Sequence, residues 1–269
     1  MKPPIVVSLS GGKDSTAMLL MMLERGEPVH SAVFFDTGWE FPQMHEHIAH
    51  LGKMVAPVPV VTVRPRVPFL FRMMDQPVTP RGSKGAPPRF RGWGWPSPSR
   101  RWCTREKTSA LDKHIKAVPG ALTAIGFAYD EAQRIGTRNI RQRAGNVRFP
   151  LIEWGVAEAD ALAYCLSHGL TWGGLYDHFR RVSCFCCPLQ GVRELRKLYR
   201  YYPDLWALML KWDREMPDNR GFRDYATVHD LAARFHEEDR WLWLPGVAAQ
   251  PCPRPALSRE GPGMRQGCN

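Results

Sequence analysis

Six consecutive residues near the N-terminus, Ser10-Gly11-Gly12-Lys13-Asp14-Ser15, combine two glycines, a lysine, a carboxylate and two hydroxyls. They follow an apolar run, Ile5 to Leu9. They lead into a helical pattern that begins at Asp14 and continues through Met18, Leu19, Met22 and Leu23. Strand, tight loop and helix is the predicted local order. Glycines let a ligand approach the backbone closely. A helix N-terminus with free N–H groups favours an anion. Lys13 adds a point charge, Asp14 a carboxylate, and Ser10 and Ser15 hydroxyl donors. The chemistry suited to this set is binding of a phosphate or pyrophosphate. The spacing is not that of a Walker A loop, which places four residues between its glycine and the Gly-Lys-Ser/Thr. An ordinary glycine turn is the alternative.

A second set lies far away in the chain. Cys184-Phe185-Cys186-Cys187 is followed by Pro188, so that Cys184 and Cys187 form a Cys-x-x-Cys pair. Two thiolates at that spacing can grip one metal ion or cluster, but a site needs more ligands. Cys103, in Arg101-Trp102-Cys103-Thr104, is the best candidate for a third. It is placed just before a predicted helix, where a thiolate forms more easily. Cys186 is left as a fourth ligand, a spare thiol for catalysis, or a buried residue. Structural zinc and a metal-free redox pair remain open. The seven cysteines are an odd number in a chain that does not open on a secretion signal, which argues against a disulfide framework. Cys165 falls on an apolar helix face and is expected in the core.

Ser10 to Ser15 resemble the pyrophosphate loop (PP-loop) of the adenine-nucleotide alpha-hydrolase superfamily. Its members split ATP between the alpha and beta phosphates and adenylate a substrate. Arg-Trp-Cys-Thr followed at a distance by Cys-x-x-Cys-Pro resembles the phosphoadenylyl-sulfate reductase-like family, especially its DNA-phosphorothioation and phage-type branch. The resemblance spans roughly residues 5 to 190. It implies ATP with Mg²⁺ at the loop. It implies adenosine contacts at Asp36, Thr37, Gly38 and Glu40, which match an Asp-Thr-Gly-x-Glu pattern. It also implies a Gly-x-x-x-x-Glu-x-x-Arg segment facing the substrate, matched by Gly126, Glu131 and Arg134. A surface ion pair between Glu131 and Arg134 is the plainer alternative. Arg101 joins the expected substrate contacts. By the same resemblance, Cys103, Cys184 and Cys187 hold a [4Fe-4S] cluster with one open iron for a sulfide, with Zn²⁺ as the alternative. The classical reductases have a degenerate loop, so the intact loop here favours real use of ATP, with Lys13 and Asp14 in catalytic roles. The reductases' C-terminal Glu-Cys-Gly is missing; Cys268, in Gly267-Cys268-Asn269, is the nearest substitute.

The elements that must position these residues follow from the pattern. Ser31 to Asp36, Pro59 to Val63 and Ala121 to Phe127 read as further strands, with helices over Phe41 to Leu51, 105 to 117 and Val156 to Ser167. A strand ending in the acidic turn at Asp36 is where an open α/β sheet binds a nucleotide. The order predicts an α/β, Rossmann-like (HUP-type), mainly parallel doubly wound sheet. Helices over 191–202, 203–216 and 228–238 make the C-terminal part mostly helical. The domain expectation is a nucleotide-binding unit over 1–155, a helical cluster-binding and substrate part over 156–244, and a flexible tail over 245–269 with five prolines.

Residues 64–102 break the pattern, with nine Arg or Lys, one acid (Asp75), eight prolines, and Trp93, Trp95 and Trp102. Basic residues interleaved with aromatics suit phosphates and stacked bases, and the net charge of +11 suits a polyanion. A solvated basic insertion is the alternative. The 269 residues are 44% hydrophobic, enough for a large core. No apolar run reaches about 18 residues, so no membrane span is predicted. Met-Lys-Pro-Pro leading into a strand does not read as a signal peptide, and a cytoplasmic protein is expected. Three functions compete: an ATP-dependent sulfurtransferase acting on a nucleic acid or nucleotide with a separate sulfur donor, an adenylyl-sulfate or phosphoadenylyl-sulfate reductase, and a nucleotide- or nucleic-acid-binding module with a structural cluster. The acceptor, the donor and the oligomeric state, a homo-oligomer included, are left open.

Overall fold

Val6 and Val33 point to one face of a sheet, while Ile5, Val7, Leu9, Ala32 and Phe34 point to the other. This is the period-two alternation of strands buried on both sides. A computed structural model describes residues 2–79, 87–136, 146–217, 221–223 and 226–242. Its main sheet has five parallel strands in the order β3-β2-β1-β6-β7. They are β1 (Ile5–Leu9), β2 (Val29–Phe35), β3 (Val60–Val63), β6 (Leu122–Ile125) and β7 (Val147–Arg148). The expected α/β, Rossmann-like fold is the one observed. The fourth predicted strand is shorter than expected, because the Phe127 N–H turns back to the Ile125 carbonyl and closes the strand before Gly126. β7, only two residues long, was not predicted.

Helices cover both faces unequally. α1 (Lys13–Glu24) and α2 (Pro42–Met54) bury Met18, Leu19, Met22, Met44 and Leu51 in the larger cluster. α4 (Trp102–Lys116) packs Leu111 on Val6 and Val33 from the opposite side. The chain runs outward from β1 to β3 in one direction and from β6 to β7 in the other. The order therefore reverses between β1 and β6, and the crevice outside their carboxyl ends is the ligand site such sheets provide.

The basic segment does not join the main sheet, as expected. It forms α3 (Phe69–Met74) and a separate antiparallel pair, β4 (Pro77–Val78) with β5 (Phe90–Arg91). Its tryptophans correct the expectation of base stacking. Trp95 and Trp102 are buried, and Trp93 packs partly on the same core. Trp95 donates from Nε1 to Asp213 Oδ1 at 2.9 Å, and the Val228 N–H donates to Asp213 Oδ2 at 3.0 Å. The segment is thereby pinned to the C-terminal helices Val192–Tyr201, Pro203–Glu215 and Val228–Leu242. One contiguous apolar cluster runs from Ile5 to Phe235. The tail from 245, with Cys252 and Cys268, lies outside the described residues.

Candidate active site

The loop after β1 is held in shape by its own hydroxyls. The Ser10 N–H donates to Ser15 Oγ at 3.1 Å, the two hydroxyls lie 2.9 Å apart, and Ser15 Oγ donates to the Gly12 carbonyl at 3.1 Å. Gly11 has φ +80°, and a Cβ there would come within 2.4 Å of Met44 Sδ. The positive φ favours glycine there, and the Met44 side chain would have to move to admit a Cβ. Its carbonyl accepts from Trp172 Nε1 at 2.7 Å. Gly126, at the end of β6, lets that strand approach the start of α1: a Cβ would meet Ser15 Cα at 2.8 Å.

Lys13 belongs to the helix rather than to the loop before it. It is the first residue of α1 and only 3% exposed. Its ammonium lies 3.5 Å from Asp14 Oδ2 and 3.6 Å from Glu158 Oε2, and donates to the Arg180 carbonyl at 3.4 Å. Its backbone N–H donates to Tyr176 Oη at 2.7 Å. Asp14 Oδ1 is buried with no hydrogen-bond partner among the described residues. Burial raises the Asp14 carboxyl above the ordinary aspartate range, against the lowering effect of Lys13.

A cleft of about 660 Å³ opens at the crevice between β1 and β6. Ser10, Gly12, Lys13, Asp14 and Ser15 line one side, and Gly126, Glu131 and Arg134 another. The loop after β6 thus meets the Ser10–Ser15 loop. Glu131 is also ion-paired, with Arg134 Nη1 at 2.9 and 3.0 Å from its two oxygens. The ion pair and the cleft position, first read as alternatives, hold together. Arg181 binds Glu131 and Glu158 at once. Cys187 lines the same cleft, beside Thr104, Lys107 and Val182.

Asp36, Thr37, Gly38 and Glu40 do not line this cleft. Asp36 accepts from the Gly38 N–H at 2.9 Å and from Arg64 Nε at 3.1 Å, and faces a separate small cavity with Phe34 and His45. Thr37 and Glu40 meet the cysteine loop instead. Thr37 Oγ1 donates to Glu40 Oε1 at 2.9 Å, and Cys184 Sγ lies 3.4 Å from Thr37 Oγ1 and 3.6 Å from Glu40 Oε1. The Phe185 N–H donates to the Trp39 carbonyl at 2.9 Å. Arg101 is exposed in an adjoining concavity with Ser97, Arg100 and Arg223, which shares Leu189 with the cleft.

Cys103 is the second residue of α4 rather than the residue before it. Burial pushes the Cys184 and Cys187 thiols up, with Cys187 a further influence on Cys184 and Cys103 on Cys187. Among the described residues no group of three or more His, Cys, Asp or Glu side chains is drawn together as a metal cage. The donor types suit an iron–sulfur cluster or zinc, but the ligand geometry is not assembled. Cys186 is 1% exposed, and burial pushes its thiol well above the cysteine range. This placement is that of a buried residue, one of the three readings left open for it. Cys165 is core, as expected. Sequence reading missed Tyr176, Glu158 and Arg181; only the Arg180-Arg181 pair ahead of the cysteines gave any sign.

A family model described as the phosphoadenosine phosphosulfate reductase domain matches residues 4–190. The chain belongs to this family. The matched span runs from the strand before the PP-loop to the end of the cysteine loop, so the reductase-domain family contains every residue of the cleft named above. An uncharacterised protein of Methanocaldococcus jannaschii is 24% identical over 251 residues, covering 90% of this chain and 46% of its own length. A second from the same organism is 23% identical, covering 77% and 47%. An uncharacterised 37.8 kDa protein of Escherichia phage 186 is 24% identical, covering 78% and 74%. The chain thus spans about half the length of the first two. Among solved structures, a U34-tRNA thiolase from Methanococcus maripaludis with its [4Fe-4S] cluster is similar at a TM-score of 0.42 and 14% identity, covering 88% of this chain and 72% of that one. A likeness of that degree bears on neither chemistry nor substrate.

Proposed function

We propose that the chain is an ATP-dependent, adenylating sulfurtransferase that acts on a nucleic acid or nucleotide. The observation that carries this reading is the shared cleft: Cys187 and five residues of the loop, Ser10, Gly12, Lys13, Asp14 and Ser15, line one crevice at the reversal point of the sheet. The chain's own residues have definite tasks. The N-terminus of α1, Lys13 and the two serines hold the departing pyrophosphate. Asp14, whose Oδ1 is buried without a partner among the described residues, is the acceptor for a Mg²⁺ accompanying the nucleotide. Glu131 and Arg134 face the acceptor, whose oxygen attacks the alpha phosphorus as the bond to pyrophosphate breaks.

Cys103, Cys184 and Cys187 are the residues that would hold an iron–sulfur cluster, and such a cluster would supply a place for a sulfur nucleophile beside the adenylated substrate. Incubation with labelled ATP and candidate acceptors tests the reading. Release of AMP and pyrophosphate is expected; absence of both under anaerobic conditions with every acceptor class would overturn it. The family also favours a second reading, reduction of an adenylyl sulfate. Sulfite formed from adenylyl sulfate without ATP turnover would select it.

A further inference from the structure

Arg181 lies on the cleft wall three residues ahead of Cys184 and is half exposed. It spends one nitrogen, Nη2, on two carboxylates: Glu131 Oε1 and Glu158 Oε1. Both carboxylates are buried, so the guanidinium is held in place. Its Nε and Nη1 make no hydrogen bond among the described residues, although a guanidinium carries five donors in a fixed fork. Glu158 in turn is shared. Its Oε1 meets Arg181, and its Oε2 lies 3.6 Å from Lys13 Nζ and 3.3 Å from Arg180 Nε.

One carboxylate therefore bridges the PP-loop lysine and the cleft arginine. A phosphate oxygen pair can make the same two contacts, since carboxylate and phosphate present similar acceptors to a guanidinium. We propose that Arg181 is a phosphate-binding residue for the nucleotide. Glu158 stands between Lys13 and Arg181, in the place a nucleotide phosphate takes when it binds. This inference rests on the proposed nucleotide site and adds a residue to it. Glu131, which bonds Arg181 and Arg134, is a positioning residue for both.

The arrangement makes opposite predictions for two neighbouring residues. Arg181→Ala removes a charge-assisted contact and should weaken pyrophosphate and ATP by roughly ten- to a hundredfold. Adenosine, which has no phosphate, should bind unchanged. Glu158→Gln removes the competitor and should tighten pyrophosphate severalfold. A merely structural glutamate would weaken binding or leave it as it was.

The test is calorimetric titration of the full chain with pyrophosphate, ATP and adenosine, for wild type, Arg181→Ala, Arg181→Lys and Glu158→Gln. Arg181→Lys keeps a cation against the two buried carboxylates and remains informative if the alanine variant does not fold. It should lose part of the phosphate affinity, because the fork is gone. Wild-type affinity for pyrophosphate in both Arg181 variants, or weakened or unchanged pyrophosphate binding in a folded Glu158→Gln, would overturn the proposal and leave the nucleotide reading standing. A wild-type chain that binds neither ATP nor pyrophosphate would overturn both.

Discussion

The phenol of Tyr176 accepts a hydrogen bond from the backbone N–H of Lys13 at 2.7 Å, across 163 positions of sequence. That N–H belongs to the first turn of α1, where an anion would be received. The contact also joins the loop to the stretch that ends in the cysteines. Tyr176→Phe leaves the N–H without its partner and should cost about 1 kcal/mol of stability. Pyrophosphate should then raise the melting temperature by more in the variant than in the wild type, because the ligand satisfies the freed donor. Equal ligand-induced shifts in thermal melts would show that phenol and anion do not compete.

Lys13→Ala should abolish pyrophosphate release from ATP. Because Lys13 is buried against Glu158 and Asp14, the variant should also be less stable, by about 1–3 kcal/mol. Glu158 keeps Arg180 and Arg181 as partners, which limits the loss. Urea unfolding checks the stability, and coupled pyrophosphate detection checks the activity.

His47 should make the fold sensitive to acid. Burial, with a smaller contribution from His50, lowers its pKa to about 4. Its Nε2 lies 3.1 Å from Thr16 Oγ1 and its ring stacks on Trp172, so it anchors α2 beside the PP-loop helix. Between about pH 6.5 and 4 the unfolded chain binds a proton there and the folded chain does not. Stability from this residue is therefore complete above about pH 6.5 and falls as pH drops toward 4, by up to about 3 kcal/mol. Urea midpoints at pH 7 and pH 5 should fall further for wild type than for His47→Gln.

Serine at Cys103, Cys184 or Cys187 should remove or destabilise an iron–sulfur cluster in anaerobically prepared protein. Serine at Cys165, a core residue, should not. The same is expected at Cys252 and Cys268. Iron and acid-labile sulfide analysis reads the outcome. Stoichiometric zinc without iron in the wild type, or a full and stable cluster in Cys103→Ser, would refute the assignment.

Nucleic-acid binding, if it uses the basic surface, should be electrostatic rather than stacked, because Trp95 and Trp102 are buried. Affinity for a single-stranded oligonucleotide should fall steeply with salt. Arg101→Ala, at an exposed position, should reduce the slope of log affinity against log salt by about one. A salt-independent affinity would point to a small-molecule acceptor.

The loop Ser10–Ser15, the strands beside it and the Cys-x-x-Cys pair were legible in the sequence because each is local. A glycine pair between an apolar run and a helix, or two thiols three apart, specifies its geometry through its immediate neighbours. The parallel α/β class followed for the same reason, from strands and helices alternating along the chain. What pairs with what was decided only by tertiary packing. Lys13 has the type and position of an exposed phosphate ligand, yet Glu158 and Tyr176, remote in sequence, enclose it. The acidic turn at Asp36 has the sequence of a nucleotide contact, yet its Thr37 and Glu40 dock on Cys184. The tryptophans of the basic insertion alternate with arginines as if for bases, but the C-terminal helices offer Trp95 a buried partner in Asp213. Burial and long-range hydrogen bonding depend on which surfaces meet when the sheet is closed by its helices, and no local pattern encodes that.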